Sequence, residues 1–71
     1  MCLAWFDIPS SGALLHFKDL VLSNDALYEG SGTDSRDGHV EGFAIFSSRK
    51  AMESFAKRAL KKNFELVGSV D

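Results

Sequence analysis

Residues 28–42, YEGSGTDSRDGHVEG, gather more chemistry-bearing side chains than any other stretch of this chain. They hold four glycines, four acids and one of the two histidines. His39, between Asp37 and Glu41, has the neighbours a divalent metal site uses. A histidine among surface acids is ordinarily no more than that, so no metal ligand is assigned. The glycines fit no phosphate cradle. A P-loop needs a lysine after its second glycine to reach the outer phosphates, and none follows Gly30 or Gly32 here. The third glycine of a dinucleotide fingerprint falls at Ser35. A calcium loop aligned on Gly38 begins at Thr33 and ends at Ala44, where carboxylates are required. No cofactor is therefore expected, and the stretch reads as a turn-forming connection, tightest at Asp37-Gly38.

The other candidate groups for catalysis are few. Cys2 is the only cysteine. A thiol becomes a nucleophile where its pKa is lowered, and no neighbour in sequence would do that. His16 and His39 are the only imidazoles available to act as its base. No pair of carboxylates stands in an apolar setting that would divide acid from base. No catalytic residue is assigned, and the chain is expected not to be an enzyme.

A basic helix is the stronger lead. Six of the eight lysines and arginines lie between Arg49 and Lys62, with Glu53 the only acid there, so that segment carries +5. Residues 1–48 carry -5, and the whole chain -2. At 100° per residue, Lys50, Lys57 and Lys61 fall within about 40° of one another, opposite Met52 and Ala59. Arg49 and Lys50 sit at the helix end where positive charge is disfavoured by about 0.3–1 kcal/mol each. Such a cost can mark a binding surface, so Arg49, Lys50, Lys57 and Lys61 are assigned to partner contact. A phosphate or nucleic acid docking there, aided by the amides of Ser47 and Ser48, is the alternative. The acidity of the remaining chain argues against a polyanion.

The elements that position these groups follow from periodicity. Met52, Phe55, Ala56, Ala59 and Leu60 form one stripe of a helix over about 48–62. Ser47 or Ser48 can cap its start, and Asn63 suits its left-handed end. HVEGFAIFSS before it and FELVGSV after it read as strands, parallel to each other but not necessarily adjacent. CLAWFDI and ALLHFKDLVLS read as two further strands separated by the turn PSSG, the second bent at Lys18-Asp19 where its apolar parity changes. ALYE is expected to extend that strand or to pair with VEGF. The fold class is α+β: two layers, a mainly antiparallel sheet of three to five strands, and one amphipathic helix on one face, all in one domain over 1–71.

Leu3 and Trp5 alternate with Ala4 and Phe6, and Phe43 and Ile45 with Ala44 and Phe46, so both sheet faces carry apolar groups. One helix covers one face. Trp5, Phe43 and Ile45 are therefore assigned to a partner surface, covered by a second copy of the chain in a homodimer. The single thiol and the lack of a leader-like or membrane-spanning apolar run suggest a cytoplasmic chain without a membrane partner. A small, slightly acidic chain with no catalytic set reads as a protein-interaction module. Phage-type inhibitors of larger host complexes, anti-CRISPR proteins among them, share its size class. A small oligomeric metabolic enzyme with its site at the subunit boundary is the other alternative.

Overall fold

The computed structural model describes residues 1–32 and 38–71. Asp34, and the Asp37 half of the expected Asp37-Gly38 turn, lie outside the described residues. The chain runs β1 (Cys2–Ile8), a 3-10 turn (Ser11–Ala13), α1 (Leu14–Ser23), β2 (Leu27–Ser31), β3 (Val40–Phe46), α2 (Arg49–Leu60) and β4 (Glu65–Val70). The four strands form one antiparallel sheet in the order β2-β3-β1-β4. This is an α+β fold with the split β-α-β arrangement of ferredoxin-like domains. As the sequence implied, β3 and β4 are parallel to each other, because β1 lies between them and is antiparallel to both. ALYE belongs to β2, which pairs with β3.

One expectation fails. ALLHFKDLVLS is not a bent strand but supplies α1, so the sheet carries two helices. The parity change between Phe17 and Leu20 is the i, i+3 step of a helix, and Phe17 and Val21 are its buried i, i+4 pair. Ser10, read as part of a turn, accepts from the amide of Ala13 at 3.2 Å and starts the helical path. The ambiguity arose because α1 is apolar on its outer side too: Leu15 and Leu22 are exposed. Both helices end alike. Asp25 (φ 58°) and Asn63 (φ 66°) adopt the left-handed conformation. The following amides of Ala26 and Phe64 reach back to the carbonyls of Val21 and Ala59.

Helix α2 begins as expected, with Ser48 Oγ accepting from the Ala51 amide at 3.1 Å. Met52, Phe55 and Ala59 are buried, whereas Leu60, placed in the same stripe by its spacing, is exposed. The core lies between the helices and the inward residues Cys2, Ala4, Phe6, Ile8, Ala44 and Phe46. Phenylalanines fill it. The Phe55 ring lies 5.4 Å from Phe6 and 5.1 Å from Phe46, and Phe17 lies 5.5 Å from Phe64.

Phe55→Ala should cost about 3–5 kcal/mol, since it opens a cavity at the junction of three rings. Lys57→Ala, on the exposed side of the same helix, should change stability by less than about 0.5 kcal/mol. Denaturant midpoints of the two variants measure the contrast.

Candidate functional site

Strand register sorts the outward side chains of the sheet into three rows, since cross-strand partners share a face. The first is aliphatic: Leu27, Ile45, Leu3 and Val70 lie side by side across all four strands. The second is aromatic: Phe43 pairs with Trp5, flanked by Gly30 on β2 and Gly68 on β4. The third is acidic: Glu41 pairs with Asp7, and Asp7 with Glu65. Among the described residues, both helices lie on the other side, and Leu3, Trp5, Phe43 and Ile45 take no part in the core. Trp5, Phe43 and Ile45 thus come together on one open face, half-buried by their neighbours in the sheet. Leu27 is 64% and Val70 52% exposed.

The aromatic row is low and flat. A Cβ on Gly68 would lie 2.5 Å from the Trp5 indole, and one on Gly32 would lie 3.0 Å from the Phe43 ring. The two rings therefore lean apart over glycine backbone, Trp5 towards β4 and Phe43 towards β2. Their centroids are 6.3 Å apart and their planes differ by 32°. Together they make a shallow platform, with open space above Gly30 at its β2 edge.

At the acidic end, His39 Nδ1 lies 2.8 Å from Oδ2 of Asp7, a buried carboxylate. An ionised carboxylate can only accept, and the ring nitrogen facing it then carries the proton. Asp7, His39, Asn63 and Glu65 border a hollow of about 220 Å3 at this end of the sheet. Sequence spacing pointed His39 towards Asp37 and Glu41, and it missed Asp7, which is 32 residues away. Among the described residues, no group of three or more His, Cys, Asp or Glu side chains is placed to hold a metal ion. A larger groove of about 500 Å3 runs between α1 and the start of β4, with His16, Asp19 and Lys62 on its exposed rim.

The basic residues do not form one free surface. Arg49 Nε donates to Asp71 at 3.1 Å and its Nη1 to Ser69 Oγ at 3.1 Å, tying the start of α2 to the end of β4. That hydrogen bond holds the Asp71 carboxyl below its ordinary range. The link is present at neutral pH and is lost as pH falls through that lowered value. Lys50, Lys57 and Lys61 are exposed along α2. Cys2 is a buried residue of β1. Burial, with a hydrogen bond to Asp71, pushes its thiol up, away from the reactive thiolate.

Comparison with known proteins finds no matching family model, curated protein or solved structure. Among the described residues, no helix is long and apolar enough to cross a membrane.

Removing the imidazole by His39→Ala should lower stability by about 1–3 kcal/mol, because Asp7 is buried and loses a charge-assisted bond. Urea unfolding at neutral pH tests this. An unchanged midpoint would mean that the pair adds nothing to the fold.

Proposed function

We propose that this chain is a non-enzymatic protein-interaction module that works through its open sheet face, and that a second copy of the chain covers that face. The observation behind the reading is the aliphatic row beside the flat aromatic row, both turned away from the helices. A contiguous apolar patch of a few hundred Å2 on a small chain often marks a binding surface. A symmetric dimer removes it and adds core to a chain that has little to spare. A cytoplasmic inhibitor of a larger complex, the use its size suggests, fits the same module, with the face then meeting a different protein.

Nucleic acid is the less favoured partner. The acidic row would repel phosphate from the sheet, which leaves only the exposed lysines of α2 for it. The enzymatic alternative is favoured by one observation, the Asp7–His39 pair, since a buried carboxylate that orients an imidazole is half of an acid–base dyad. It would lie at the boundary between two stacked copies. Movement of the His39 imidazole signals in NMR on addition of a cell metabolite extract would support that reading.

Folding and association should be linked, so the melting temperature should rise with protein concentration. Trp5→Asp or Ile45→Asp should yield a less stable monomer by sedimentation at micromolar concentration. Reversing Lys50, Lys57 and Lys61 to Glu should leave the dimer in place and remove any binding of nucleic acid. A native chain that sediments as a stable monomer at every concentration would rule out the self-association.

A further inference from the structure

The three rows constrain how two copies could meet, and this inference rests on the self-association proposed above. Sheets that pack face to face lie about 10 Å apart, with strand directions commonly within about 30° of each other. Two symmetric stackings satisfy that geometry. A two-fold axis along the strands would set acidic row on acidic row, bringing Glu41 and Glu65 of each copy towards the carboxylates of the other. Like charges facing across an interface oppose association. A two-fold axis across the strands reverses the copies and moves their acidic rows to opposite ends.

We infer that the copies pair in the second way, with the axis crossing the strands between the aliphatic and aromatic rows. Each strand then lies over its own counterpart, antiparallel to it. Leu3 and Ile45 of one copy rest on the flat rings of Trp5 and Phe43 of the other. Leu27 and Val70, the most exposed members of the aliphatic row, meet Gly30 and Gly68, the two positions of the aromatic row that have no side chain. Leu27 thus projects into the open space above Gly30, and Val70 rests on the edge of the Trp5 indole that covers Gly68. Glu41 and Glu65 overhang the interface and keep their water, while Asp7 stays buried against His39. The charge pattern and the open position at Gly30 select the same axis.

The area is modest. Two rows spaced about 7 Å apart across four strands spaced about 5 Å apart cover only about 14 by 19 Å. Stable interfaces bury about 800 Å2 on each partner, so this dimer should be weak and readily reversible.

Sedimentation equilibrium of four forms tests the arrangement: the native chain, Leu27→Lys, Val70→Lys and the double variant Glu41→Gln with Glu65→Gln. Leu27 and Val70 stand on opposite edge strands and are more than half exposed in the single copy, so their substitution spares the core. Each lysine variant should remain folded by circular dichroism and dissociate at least about tenfold more readily than the native dimer. The neutralised double variant should associate within about twofold of native, because its carboxylates stand outside the interface. A tenfold tighter dimer on neutralisation would mean that the acidic rows face each other, which overturns the axis but not the use of the face. A native dimer that tolerates both lysines lies elsewhere on the molecule. A chain that is monomeric throughout overturns the self-association itself.

Discussion

The fold depends on how closely α1 approaches β3. A Cβ on Gly42 would stand 2.6 Å from the Phe17 ring, closer than any real packing allows, so the ring occupies space that only glycine leaves open. From there Phe17 touches Phe6, Phe55, Phe64 and Tyr28, joining both helices and the sheet in one aromatic cluster. Ala4 and Ala44, paired across the central strands on the same inward face, keep the neighbouring floor low as well. The helices supply the bulk of the core, and the middle of the sheet supplies room for it.

This arrangement has a consequence for the other face. With small residues inward at the centre, the larger groups Trp5, Phe43 and Ile45 stand outward. A sheet with one wet face normally shows the reverse, apolar groups inward and polar groups outward. The outward aromatic and aliphatic rows therefore answer to something other than the packing of the helices. The electrostatics divide in the same way: carboxylates border the open face, and exposed lysines lie along α2 on the opposite side.

Much of this was legible in the sequence where a period was unmixed. Helix α2 has one apolar stripe and one lysine stripe, and its caps at Ser48 and Asn63 follow the local chemistry of those residues. The two apolar parities of β1 and β3 disclosed an open face before any register was known. ALLHFKDLVLS reads as a strand because Leu15 and Leu22 widen the apolar side of α1 and leave His16, Asp19 and Ser23 as a narrow polar face, so a buried strand and a short helix look alike. The Asp7–His39 pair and the three rows lay beyond reach for a different reason. They exist only once Cys2 is placed opposite Phe46, and a shift of one residue would send every side chain to the other face. No local signal sets that register in this chain.

The two apolar rows of the open face are not equivalent, and the difference shows where a driving force for association resides. Trp5 and Phe43 already shelter one side of each ring against glycine backbone, so a single copy hides much of their area. Leu27 and Val70 have no such shelter. Complete burial of a leucine or valine contributes about 1.5–3 kcal/mol, and partial cover within one copy reduces what remains to be gained. Four such side chains from each copy contribute several kcal/mol together, while association costs about 4–15 kcal/mol in lost freedom. These magnitudes are comparable, so the balance turns on how well the aliphatic row fits its complement. The flat rings and the open space at Gly30 matter for that reason. In the proposed pairing they add little apolar area, but they set the shape that the projecting row would meet.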